Sequence, residues 1–294
     1  MSKVLEKICL AVIFVGIIFT LFLPLAINSS FLFPFIFTKV VIFRIVVAVM
    51  LLAYLFLVYL NTGYRPKINF VLLSIIIFIV GIFISSLVGL DFNLSFWGDI
   101  ERGEGLILWL HLLIYFVILT SVLNRKTWFY LINFSLVASL LLALFAIGQR
   151  FEASFLVNDG GERIGATIGN AAFLAVYMMF QMAFAAYLML VSKSKTLRGC
   201  YLCLLLIFGY VVIETKTRGA FLGLLAGFFV AGGLVLYKFK SKVVKISIGV
   251  ICLLVLLGGS FIYINKNSSW VKNNATLDRL ASISLKERTA QTRF

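Results

Sequence analysis

"ICLAVIFVGIIFTLFLPLAI", residues 8–27, contains no Asp, Glu, Lys or Arg. In a helix about 20 residues extend about 30 Å, the thickness of a bilayer's hydrocarbon core. Lys3 and Lys7 precede the run, as in a signal peptide. The run is too long for one, however, and reaches Pro24 with no small-residue cleavage site. It predicts a first membrane helix that stays in the protein. Comparable runs at 40–60, 70–90, 106–123, 128–148, 170–191, 199–213, 219–237 and 246–264 bring the spans to about nine. Of 294 residues, 63% are hydrophobic and 13% are charged, more apolar sequence than one soluble core absorbs. The fold class is therefore all-α, a polytopic integral membrane helix bundle. Three prolines, no Gly/Ser-rich linker and no internal repeat predict one transmembrane domain over residues 1–264. Residues 265–294 then open an outer loop.

The formal charge of +15 would suit a nucleic-acid partner, but its placement excludes one. Basic and acidic connections alternate along the chain. One set holds Lys3, Lys7, Arg65, Lys67, Arg125, Lys126, Lys193, Lys195, Arg198, Lys238, Lys240, Lys242 and Lys245. The other holds Asp91, Asp99, Glu101, Glu104, Glu152, Asp159, Glu162 and Glu214. The positive-inside rule makes the first set cytoplasmic, with the N-terminus inside and residues 265–294 outside. Those 13 basic residues orient the protein and touch anionic lipid headgroups. The other 13 of the 26 Lys and Arg fall at or near the outer face, where insertion does not require them.

Four stretches carry six of this outward set. In "IETKTRGAFLGLLAG" (213–227), Glu214, Lys216 and Arg218 follow a predicted span of only about 15 residues, about 22 Å long. The connection should then begin below the outer surface, with Gly219 permitting a tight reversal. Lys216 and Arg218 there point to an anion, since arginine matches phosphate oxygens bidentately. The bland alternative is a short loop with snorkelling side chains. In "FWGDIERGEGLI" (96–107), Asp99, Glu101, Arg102 and Glu104 alternate with three glycines; they suit sugar hydroxyls, a metal, or plain solvation. In "GERIGATIGNAAFLAVY" (161–177), Arg163 precedes a Gly-rich turn and a helix start near Asn170, a pattern that favours anions but also serves as an ordinary cap. In "PFIFTKVVIFR" (34–44), Lys39 stands at the outer mouth of the second span. Arg44 lies about a turn deeper, either snorkelling or facing the bundle interior. The only histidine, His111, is read as bonding a carbonyl and packing, with a proton relay as the alternative. Cys9, Cys200, Cys203 and Cys252 are read as small packing residues.

These motifs, in this order and on one side of the membrane, resemble the bacterial O-antigen ligase/polymerase family, which includes lipopolysaccharide ligases, Wzy-type polymerases and pilin-glycosylating oligosaccharyltransferases. The matching segments are "FPFIFTK" (33–39), "FWGDIERGEGLI" (96–107), "RIGATIGNAAFLAVY" (163–177), "TKTRGAFLGLLAG" (215–227) and "RLASISLKERTAQTRF" (279–294). The resemblance implies a GT-C-like membrane glycosyltransferase in the bacterial inner membrane. Its donor would be an undecaprenyl-diphosphate-linked glycan, and its acceptor a hydroxyl of lipid A-core, glycan or protein. It also implies that basic side chains replace a metal ion, with no cofactor and no metal ligands. Arg218 matches the family's catalytic arginine at the start of its span, and Arg288 or Arg293 a second. Lys39, Arg44, Arg102, Arg163 and Lys216 are expected to bind the substrate. The family's loop histidine and further helices have no counterpart before Phe294, so the chain is expected to be a C-terminally truncated fragment. A transporter or flippase for a lipid-linked or anionic solute is the alternative.

Overall fold

The chain is a multi-pass, all-helical membrane protein. The computed structural model describes residues 2–28, 30, 31, 33–99, 101–151, 163–238, 257, 258, 260, 261, 263–274 and 277. Six helices among them are long and apolar enough to cross a bilayer, and two shorter apolar helices accompany them. The α-helices in chain order are α1 (Ser2–Phe22), α2 (Phe37–Leu60), α3 (Phe70–Val88), a short α4 (Phe92–Trp97), α5 (Leu106–Val122), α6 (Arg125–Arg150), α7 (Ala171–Val191), α8 (Lys195–Glu214), α9 (Arg218–Lys238) and a four-residue α10 (Ser269–Lys272). No strand occurs among the described residues. The predicted span 246–264 lies largely outside them, as do Arg288 and Arg293.

Helix starts follow local capping chemistry. The side chains of Asn69, Asp91, Asn170 and Ser194 accept backbone N–H groups at the first turns of α3, α4, α7 and α8. Such caps satisfy donors that hydrocarbon could not. One expectation changes. The seventh span does not begin at Gly199 but at Lys195, behind the Ser194 cap, and runs 20 residues. That helix is about 30 Å long, enough to cross the bilayer. The 214–218 connection is therefore not drawn inward by a short helix.

The chain forms two compact units. The first holds residues 1–142 and 167–169, and the second 143–166 and 170–294. In the first, α1 packs on α2, α2 on α5, and α5 on α3 and α4. Ile13, Ile17, Met50, Tyr54, Leu57, Ile118, Val122 and Leu131 form its core. Gly16 allows α1 to approach α2: a Cβ there would lie 2.6 Å from the Met50 side chain. Polar pairs fix the ends of these contacts. The Thr20 and Tyr115 hydroxyls lie 2.7 Å apart, joining α1 to α5. The amide of Asn61 donates to Glu6 at 3.2 Å, joining α2 to α1.

In the second unit α7 packs along α8 and also touches α9. The buried face of α7 reads Ala171, Leu174, Ala175, Met178, Gln181, Ala185, Leu188, a helical period. It is rich in small residues, as close helix packing within lipid requires. Phe208, Val211 and Val212 are the fully buried residues of α8.

Gly16→Leu should drive a side chain into Met50 and destabilise the protein by about 1–3 kcal/mol. Thermal unfolding of the detergent-solubilised chain measures this. An unchanged transition would mean that α1 and α2 are not held at that approach.

Candidate functional site

The basic residues singled out in the sequence divide between the units. Lys39, Arg44 and Arg102 belong to the first, and Arg163, Lys216 and Arg218 to the second.

In the first unit, Lys39 sits in the opening turn of α2 and its ammonium donates to the carbonyl of Thr167. The Thr167 hydroxyl in turn donates to the Pro24 carbonyl at 2.7 Å. A 167–169 segment is thereby tied to the end of α1 and the start of α2. Gly169, at φ +75°, has no room for a Cβ against Phe35. Arg44, five residues further along α2, faces inward. Its Nη2 donates to the carbonyl of Gly103, and its Nε is buried with no hydrogen-bond partner. Of the two alternatives for Arg44, snorkelling or facing the interior, the structure takes the second.

Gly103 belongs to the turn that presents Asp99, Glu101, Arg102 and Glu104. Glycine is required at its neck. Gly98 has φ +81°, and a Cβ on it would lie 2.4 Å from the backbone nitrogen of Gly105. Within the turn the Gly103 amide donates to the Asp99 carbonyl at 2.6 Å. Asp99, Arg102 and Glu104 are exposed. No group of three or more His, Cys, Asp or Glu side chains that would suit a metal occurs among the described residues. Nδ1 of His111 lies 2.7 Å from the Ile107 carbonyl one turn back in α5, the carbonyl contact expected of it.

The second unit gathers its polar groups around the α8–α9 connection. Arg163 reaches it from a segment 52 positions earlier, its Nε donating to the Thr215 carbonyl at 3.0 Å. Its Nη2 donates to the Thr217 hydroxyl at 2.6 Å. Thr215 is fully buried and its own hydroxyl returns to the Val212 carbonyl at 2.7 Å. The Thr217 carbonyl accepts the Ala220 and Phe221 amides and so opens α9. Arg150, at the end of α6, pairs with Glu214 at 2.7 Å. Lys216 and Arg218 flank Thr217, both partly buried.

The reversal itself differs from expectation. Gly219 is not the turn residue; it lies in the first turn of α9 with open space around its Cβ position. The left-handed backbone falls on Lys216, at φ +50°. A non-glycine residue there costs about 1 kcal/mol or more, so the surrounding bonds must hold it. The Arg163 strap supplies two of them.

Sequence reasoning passed over four participants. Gln149 is buried and its Oε1 accepts the Ala166 amide at 2.9 Å, supporting Ala166 at φ +48°. Arg150, Thr167 and Thr217 bond as described above. Gln149 was detectable as a lone amide in the apolar run "LLALFAIGQRF" (141–151); the others carry no local signal.

The chemical capacity of the second-unit cluster is clear. Arg150, Arg163, Lys216 and Arg218 stand near one described acid, Glu214, on a connection between two membrane helices. The two bonds from Arg163 go to neutral oxygens, which do not themselves neutralise its charge. Such an arrangement attracts a polyanion, with part of its guanidinium surface already committed to positioning.

Arg163→Gln should release the connection. Hydrogen exchange of the 214–218 amides should rise about tenfold, the size expected when a hydrogen bond to a charged group is lost. Exchange unchanged from wild type would show that Arg163 does not hold this turn. Compared with models of known families, with characterised proteins and with solved structures, the chain gives no significant match.

Proposed function

We propose that the protein is a membrane glycosyltransferase of the O-antigen ligase/polymerase type, moving a glycan from undecaprenyl diphosphate to an acceptor hydroxyl. In this reading residues 1–264 form a GT-C-like transmembrane domain in the bacterial inner membrane, with the N-terminus cytoplasmic. Residues 265–294 open a periplasmic loop. The observation that carries the reading is the basic cluster on the α8–α9 connection, where Arg163 fixes a strained turn between Lys216 and Arg218.

The chemistry follows from the leaving group. Breaking the glycosidic bond leaves negative charge on the diphosphate oxygen. Fixed cations in a water-poor pocket stabilise that charge without reorganising as it develops. Arg218, and Arg288 or Arg293 from outside the described residues, take this role. Lys216, Arg163, Lys39, Arg44 and Arg102 bind the donor, and no metal ion is needed. The acceptor is a hydroxyl of lipid A-core, of the growing glycan, or of a protein.

Arg218→Ala in the full-length protein should lower glycan transfer by about 10²–10³-fold, the usual loss when one oxyanion donor is removed. Membrane insertion should stay normal, and EDTA should leave wild-type transfer unchanged. Transfer assayed with a radiolabelled lipid-linked glycan in proteoliposomes checks both. Wild-type rates in the variant would refute the clamp. Translocation of the labelled lipid without transfer would favour a flippase.

A further inference from the structure

The C-terminal half of α3 and the short helix α4 bound a cavity of about 410 Å³ in the first unit, lined by Phe78, Gly81, Ile82, Ser85, Ser86 and Ser95. Its lining is graded. Ser85 and Ser86 lie in the last turn of α3, close to where a spanning helix meets the headgroups. Phe78 lies ten positions before Val88, the last residue of α3, about 15 Å deeper at 1.5 Å per residue. The cavity is therefore polar at the membrane surface and apolar towards the middle of the bilayer. Gly81 keeps the deep part open, since a Cβ there would meet nothing within 4 Å. At the shallow end Gly89 follows α3, and a Cβ there would lie 3.2 Å from the Ser85 carbonyl. Ile77 and Ile84, on the flanks of α3, are exposed and so face lipid.

The polar end accepts more than it donates. The Ser86 hydroxyl gives its proton to the Ile82 carbonyl at 2.9 Å, and the Ser95 hydroxyl gives its proton to the Asp91 carbonyl at 2.8 Å. Each hydroxyl has one proton, so both oxygens face the cavity with lone pairs only. The C-terminus of α3 adds the negative end of a helix dipole. No Lys or Arg lines the cavity. A bare phosphate, which offers only acceptors, finds only the Ser85 hydroxyl as a side-chain donor here; a group with several N–H donors and positive charge finds all three oxygens.

We propose that this cavity is a binding site for one phospholipid with a primary-ammonium headgroup. The ammonium lies among Ser85, Ser86 and Ser95, and one acyl chain lies along Ile82, Gly81 and Phe78. The site is separate from the basic cluster and does not depend on the transfer reading.

Native mass spectrometry of the full chain in detergent tests it, with equimolar phosphatidylethanolamine, phosphatidylglycerol and monoglucosyl diacylglycerol offered together. Phosphatidylethanolamine should be retained about tenfold over either competitor, the scale of one hydrogen bond to a charged group. Equal or greater retention of the anionic or the sugar lipid overturns the headgroup assignment. Gly81→Leu, which fills the deep end without a clash, should cut phosphatidylethanolamine retention about tenfold, since burial of a chain segment is lost. Wild-type retention by that variant overturns the site. Ser95→Ala removes one acceptor and almost no volume, and should bring the three lipids close to parity. A preference unchanged by Ser95→Ala also overturns the headgroup assignment.

Discussion

Hydrocarbon offers no water to a charged side chain, so a cation turned inward among these spans must find oxygen within the protein. This chain meets that demand with backbone carbonyls more than with carboxylates. Lys39 donates to Thr167, Arg44 to Gly103, Arg163 to Thr215, and Arg198 to Ser192. Each bond satisfies a donor without itself neutralising the charge, because its acceptor is a neutral carbonyl. A carboxylate partner would satisfy the same donors and remove the field. Holding cations by carbonyls thus gives the loops a fixed geometry and keeps them attractive to an anion. The same bonds tie distant segments together: Lys39 and Thr167 are 128 positions apart, Arg163 and Thr215 52.

The two units apply this constraint to different ends. In the first, the heads of Lys39 and Arg44 are turned onto carbonyls, and exposed Asp99 and Glu104 stand on the glycine-necked turn. In the second, one described acid stands among Arg150, Arg163, Lys216 and Arg218.

Much of the fold was legible because hydrophobic length is a local property. The run 8–27 anticipated α1, and 40–60 anticipated α2 with Lys39 in its opening turn. Asn170 marked the start of α7. The start of α8 was missed because Lys195 and Arg198 interrupt the apolar pattern, although Ser194 is an ordinary helix cap. That error made the helix look short and gave a false reason for the depth of the 214–218 connection. The turn residue was missed for a different reason. Glycine is the expected carrier of a left-handed backbone, and nothing local marks Lys216 for it; the strap from Arg163 and the buried Thr215 hold it there. Which oxygen each cation bonds is a matter of long-range packing and has no sequence signal. Lys39, Arg44 and Arg163 were recognised as significant by their placement near apolar runs, but their partners were not.

The central claim is that the basic residues on the α8–α9 connection form a seat for a polyprenyl diphosphate. It is tested most directly by calorimetric titration of the detergent-solubilised chain with farnesyl diphosphate and with farnesol, over a series of salt concentrations. The account predicts that the diphosphate binds, that its affinity falls as salt screens the cluster, and that farnesol binds far more weakly. Equal affinity for the alcohol and the diphosphate, or diphosphate binding indifferent to salt, would contradict it.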